Sequence, residues 1–347
     1  GRSQKAGRQV FNKNHPNTYY THLICCYCVS EPTMARTTSA AAGTPSFILA
    51  TFCSVHLLLA GGAYAFGAYT EATLRRLAQA SSLSYLDVER MSSSPYYESC
   101  ELEPMAQVVD AESESGATVF RTKSKGGGNG NGDEEAEGTR EAVVVACRGS
   151  ANPKNFGTNL KFNLVPATRL SQNYLPENAL VHEGFQTASV GLWRELSSPL
   201  EELVTASNCD VVFTGHSLGA ATALLCATHY NASYENRAPS PSVVTFGGPR
   251  LCNSVLARHL RNEALGGCDI LHLVHSKDPV LANNRKLWDE LGFEDVGIEL
   301  ECDPNEPVVF GAGGEEPQKK SPFGNFAWNI VDHCKYMGVF VGPRAFF

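Results

Sequence analysis

Four short β-branched runs, spaced along the middle of the chain, constrain its fold more than any other feature. Ile270–His275 alternates, with His272 and His275 on it, but Ala142–Cys147, Asp210–Thr214 and Ser242–Phe246 are apolar almost throughout. A strand of that kind needs burial on both faces. Helical patterns fall between these strands: residues 185–206, which Pro199 is expected to interrupt, then 217–230 and 252–264. Strand and helix in alternation predict a mostly parallel sheet with helices on both faces. Upstream, Leu74, Leu77, Ala78, Leu83 and Leu86 recur at helical spacing and predict a helix over 71–90, and residues 117–122 read as a further strand.

The ends and gaps of this pattern set the domain boundaries. Residues 1–33 are polar, irregular and carry the close trio Cys25, Cys26 and Cys28. Met34 then opens a weakly basic stretch, Phe47 to Ala60 is an apolar run, and Gly61-Gly62-Ala63-Tyr64-Ala65 supplies a small-x-small site. That order is the pattern of a secretory signal peptide over 34–65, cleaved after Ala65, with 1–33 foreign to the native product. A signal anchor or a buried helix are the alternatives. The expectation is a secreted or endomembrane-lumen protein whose residues 66–347 form one catalytic domain. Residues 126–138, rich in Gly and Asn and then acidic, cannot bury apolar surface, so 124–140 is expected to be a disordered surface loop.

Composition excludes several classes. The net charge is −8 and no basic run exceeds two residues, which disfavours nucleic acid as a partner. The 12 cysteines lack the paired spacing of a zinc site, so neither metal nor cofactor is implied. In an oxidising compartment some of them are expected as disulfides, although Cys147, Cys209 and Cys226 fall in core elements where free thiols also fit. Asn231-Ala232-Ser233 is a glycosylation acceptor if the chain is secreted.

The chemistry centres on Gly215-His216-Ser217-Leu218-Gly219. The G-x-S-x-G pattern is weak alone and gains force between a buried strand and a helix, as here. Such a turn is too sharp for ordinary neighbours, and Gly215 and Gly219 provide the room. It would lift the Ser217 hydroxyl to the end of the sheet at a helix N-terminus, where developing negative charge is favoured. A serine needs a base, and the base an orienting acid, in the chain order Ser, acid, His. His272 and His275 lie in a strand pattern and His259 on a helix, which leaves the late His333 as the base. Asp278 leaves the strand at 270–275, and Pro279 restrains its backbone. Asp332 is the rival acid, but side chains adjacent in sequence seldom converge. Oxyanion donors are expected from the Leu218 N–H and from Ser150 in the Arg148-Gly149-Ser150 loop. His182, beside Gly184-Phe185, reads as structural.

Six blocks, in order, resemble the class 3 lipases, the fungal-type triacylglycerol lipases and their plant, algal and feruloyl-esterase relatives. They are Arg148-Gly149-Ser150, Val181-His182-Glu183-Gly184-Phe185, Thr214 to Ala220, Thr245 to Arg250, His275 to Val280 and Asp332 to Tyr336. The resemblance implies an α/β-hydrolase fold, Ser217, Asp278 and His333 as a catalytic triad, and Ser150 with Leu218 as oxyanion donors. It implies hydrolysis of acylglycerol or related esters, transient contact with a lipid surface and a monomer. It also implies a lid at Asn152–Leu160, where only Phe156 and Leu160 are strongly apolar and the family's usual tryptophan and aspartate are absent. A lid this polar should adhere weakly to lipid, which favours an esterase-like or polar-lipid preference. An acyltransferase, a feruloyl-type carboxylesterase and a non-catalytic hydrolase-fold binding protein are the competing readings.

Overall fold

The computed structural model describes residues 69–123, 141–149, 163–170, 175–206, 209–235, 237–303, 305–307 and 331–343. The residues expected to form a leader, a signal peptide, the 124–140 loop and the 152–160 lid lie outside the described residues, as does Ser150. Strands β1 (Leu102–Val109), β2 (Gly116–Thr122), β3 (Ala142–Arg148), β6 (Asp210–His216), β7 (Ser242–Phe246), β9 (Ile270–Val274) and β11 (Ile298–Glu301) form one sheet. Their order is β1-β2-β3-β6-β7-β9-β11. The two β1–β3 pairings are antiparallel and every pairing from β3 onward is parallel. A smaller sheet joins β4 (Leu164–Pro166), β5 (Leu180–His182), β8 (Cys252–Asn253) and β10 (Phe293–Glu294), and a hairpin joins β12 (Lys335–Tyr336) to β13 (Val339–Phe340).

The continuous apolar runs serve two cores. Val143, Val145 and Cys147 of β3 face one, with Val211 and Phe213 of β6. Ala142, Val144 and Ala146 face the other, with Val212. Helices α3 (Glu183–Ala206) and α4 (Leu218–Tyr234) contribute to the first core. Helix α1 (Glu71–Leu83) and the β12–β13 hairpin contribute to the second. A buried hydroxyl pair, Ser81 Oγ and Thr214 Oγ1 at 3.1 Å, ties α1 to β6.

Three expectations change in detail. Pro199 does not interrupt α3, which runs unbroken from Glu183 to Ala206. Leu192, Leu196, Leu200 and Val204 form a fully packed stripe on either side of it, and burial of that stripe offsets the roughly 3 kcal/mol that an interior proline costs. The 71–90 helix divides into α1 and the single turn α2 (Val88–Met91), which follows Asp87. The 252–264 helix begins with β8, continues as α5 (Ser254–His259) under an Asn253 cap, and ends in a π-turn at Leu260–Ala264.

The cysteine and glycosylation expectations also meet the structure. All eight described cysteines are free thiols, and seven of them are buried. They serve as small core residues rather than disulfide partners. The Asn231 amide donates to the Ala264 carbonyl at 2.8 Å from within α4, so the glycosylation acceptor is engaged in the fold. His182 is structural, as expected: its Nδ1 accepts from the N–H groups of Gly184 (3.1 Å) and Phe185 (3.4 Å) and so caps α3.

Candidate active site

Ser217 occupies the turn between β6 and α4, with φ 59° and ψ −127°. This left-handed conformation is costly for a residue with a Cβ and persists only where its surroundings enforce it. Its N–H donates to the Phe246 carbonyl at 3.0 Å, and its own carbonyl accepts from Ala220 N–H at 3.0 Å. The flanking glycines are required by contact. A Cβ on Gly215 would stand 2.4 Å from the Gly219 oxygen, and one on Gly219 would stand 2.3 Å from the Cys147 oxygen. Both obstacles are backbone and cannot swing away. Gly219→Ala is therefore expected to destabilise the protein by about 3 kcal/mol or more, as a lower urea midpoint at unchanged m-value.

Asp278 and His333 meet. His333 Nδ1 donates to Asp278 Oδ2 at 2.8 Å across 55 residues of sequence. Asp278 is also the N-cap of α6 (Pro279–Glu290): its Oδ1 accepts from the N–H groups of Val280 (2.8 Å) and Leu281 (3.3 Å). Pro279 takes the first helical position, where its missing N–H costs nothing. One carboxylate oxygen thus fixes the side chain to its own helix and the other holds the imidazole. Relative exposure is 4% for Ser217, 0% for Asp278 and 2% for His333. Burial alone would raise the Asp278 carboxyl; the His333 charge and hydrogen bond, the Tyr336 hydroxyl and the α6 N–H groups outweigh it and bring it below its ordinary value. An ionised Asp278 fixes the neutral His333 as the Nδ1–H tautomer, leaving Nε2 basic. His333 stands beside the serine turn: its carbonyl lies 2.8 Å from His216 Nε2, and the two rings are 4.6 Å apart.

Tyr336 is the site residue that sequence reasoning missed. Its hydroxyl donates to Asp278 Oδ2 at 2.6 Å. Gly247, at φ +56°, makes room for that pair, because a Cβ there would fall 2.8 Å from the Tyr336 oxygen and 2.9 Å from Asp278 Oδ2. No local pattern could have announced a contact that spans 58 residues. Tyr336→Phe is expected to cost about 1.5–3 kcal/mol of stability, the worth of a hydrogen bond to a charged group, read by urea denaturation at neutral pH.

The candidates that sequence reasoning set aside have other partners, and His275 falls beyond the strand expected to hold it. His259 sits on α5 beside Glu263 at 3.2 Å. His272 Nδ1 is 2.5 Å from Thr245 Oγ1. Asp332 faces Lys335 at 3.7 Å. His275 is buried just beyond β9, with its Nε2 on the Asp332 carbonyl at 3.0 Å. Leu218 opens α4, so its N–H is among the helix-start donors that lack an intrahelical partner. No group of three or more metal-ligating side chains gathers among the described residues.

Comparison with known proteins agrees with this architecture. Residues 144–282 match the family of class 3 lipases. Phospholipase A1-II 1 of Oryza sativa subsp. indica is 27% identical over 221 residues, covering 59% of this chain and 51% of that protein. The secreted mono- and diacylglycerol lipase A of Penicillium cyclopium is 30% identical over 144 residues, covering 41% of this chain and 43% of that one. The chain thus spans about half the length of the curated relatives it matches. Among solved structures, the Rhizomucor miehei triacylglyceride lipase superposes with a TM-score of 0.55 at 20% identity, over 78% of this chain and 94% of that one. The fold is the α/β-hydrolase fold.

Proposed function

Residues 144–282 match the class 3 lipase family, and on that premise we propose that the chain belongs to it and is a serine hydrolase cleaving carboxylic esters of acylglycerols or related lipids. The observation that carries the reading is the bond from His333 Nδ1 to the buried Asp278 carboxylate, in a fold that also holds Ser217 in a strained turn beside His333. In the proposed mechanism His333 Nε2 takes the Ser217 proton as Ser217 Oγ attacks the ester carbonyl. The oxyanion is held by the Leu218 N–H and by Ser150. Collapse of the tetrahedral intermediate breaks the ester C–O bond, His333 protonates the leaving alcohol, and water repeats the sequence to release the acid. Asp278 stays ionised and steadies the imidazolium. Ser150→Ala is expected to lower kcat by one to three decades, from the loss of about 3 kcal/mol of oxyanion stabilisation.

The names of the relatives support a glycerolipid substrate, one a phospholipase A1 and the other a mono- and diacylglycerol lipase. The polar 152–160 segment favours a substrate with a polar head group over bulk triacylglycerol. Entry to the secretory route through residues 34–65 is supported by the sequence pattern and by the secreted Penicillium relative. The test is a substrate panel of short-chain nitrophenyl ester, monoacylglycerol, diacylglycerol, triacylglycerol emulsion and phosphatidylcholine, assayed below and above the solubility limit. Fatty-acid release from the mono-, di- or phospholipid members is the expected result. No acyl hydrolysis of any member, or transfer of the acyl group to an added alcohol in preference to water, would overturn the reading.

A further inference from the structure

Two imidazoles that take no part in the proposed mechanism reach the backbone beside His333. His216 Nε2 lies 2.8 Å from the His333 carbonyl oxygen, and His275 Nε2 lies 3.0 Å from the carbonyl oxygen of Asp332. A carbonyl can only accept, so each Nε2 carries hydrogen and each neutral ring has its lone pair on Nδ1. On His216 that lone pair receives the Tyr85 hydroxyl at 3.1 Å. Both histidines are buried. They stand at the ends of β6 and β9, with β7 between those strands, so they meet two consecutive carbonyls from different parts of the sheet edge.

We propose that His216 and His275 are positioning residues, which clamp the segment carrying His333 by one donated hydrogen bond each and so aim its imidazole at Ser217. Two features support this beyond the distances. His275 Nδ1 is buried without a hydrogen-bond partner among the described residues, a cost of about 1–3 kcal/mol that an apolar residue would avoid if packing were its whole task. Burial also pushes both imidazoles down, His216 to about 3. They therefore stay neutral beside His333 and do not oppose the positive charge it gains during reaction. Uncharged donors to the backbone orient the base without placing a second charge beside it.

The proposal rests on the reading of His333 as the base, and its test separates the two. His216→Leu and His275→Leu remove the donors, whereas His216→Gln and His275→Gln keep an N–H of similar reach. Steady-state kinetics on a soluble nitrophenyl butyrate are paired with the downfield NMR resonance of the His333 Nδ1 proton, assigned by its loss in His333→Ala. Each leucine variant should lose roughly a hundredfold in kcat, as misplacement of a reacting group does, with KM nearly unchanged and the resonance shifted or broadened. The glutamine variants should recover most of both. Leucine variants that fold and keep wild-type kcat, or lose it with the resonance unmoved, overturn the clamp. Should a leucine variant not fold, its glutamine counterpart decides: a folded protein with native resonance and kcat supports the clamp, and one with low kcat and native resonance overturns it. If His333→Ala itself remains active, the triad reading fails instead.

Discussion

Ser217→Ala is expected to lower ester hydrolysis by roughly six orders of magnitude, the scale seen when the nucleophile of a serine hydrolase is deleted. The fold should survive the change. Ser217 precedes α4 at the N-cap position but makes no side-chain cap bond, so removing its hydroxyl takes no support from the helix. Alanine also keeps the strain, because the positive φ penalises any Cβ. Glycine does not, and Ser217→Gly is expected to be more stable than the wild type by about 1–2 kcal/mol while equally inactive. An inactive but stabilised glycine variant would show that the strain serves the hydroxyl's placement and not the architecture. Wild-type hydrolysis in a pure Ser217→Ala preparation would remove Ser217 from the mechanism.

The second large effect is acid sensitivity well above the carboxylate range. His216 and His229 are buried, and burial lowers their values from 6.5 to about 3 and about 4 respectively. Their folded values lie below their unfolded ones, so the unfolded chain binds protons first as pH falls. Stability is therefore whole above pH 6.5 and declines below it, until the folded-state values are passed. Each histidine contributes about 1.4 kcal/mol per pH unit within that window, so the pair removes on the order of 5 kcal/mol by about pH 4.5. That approaches the whole stability of a typical domain, roughly 5–15 kcal/mol. Asp278, whose value is also lowered, adds to the loss only below its ordinary 3.8. Urea denaturation across a pH series should show the decline starting near 6.5, and His229→Leu should make it shallower, leaving the share carried by His216, His272 and His275, whose values burial also lowers. A flat stability between pH 7 and 5 would show that these rings are not held neutral.

The parallel part of the sheet was legible because physics leaves little choice for it. Runs such as Val143-Val144-Val145 need two cores, and the structure supplies both. The turn at Ser217 was legible for the same reason: strand, glycine, helix and glycine are all local. That Asp278 and His333 meet was legible only through chain order and the family resemblance. Asp278 as the cap of α6 could have been read from its own neighbourhood, since Asp before Pro is an N-cap followed by a first helical position. Pro199 misled because helix propensity is local while the stripe that overrides it is tertiary. Tyr336, His216 and His275 act through contacts with partners distant in sequence, and no periodicity encodes those.

The central claim is that Ser217 is made nucleophilic by His333, which Asp278 holds. Reaction with a fluorophosphonate followed by peptide mass mapping addresses it most directly. The account predicts a single adduct on Ser217 in the wild type and almost none in His333→Ala over the same time. An adduct on a different serine, or equally fast labelling of Ser217 without the imidazole, would contradict it.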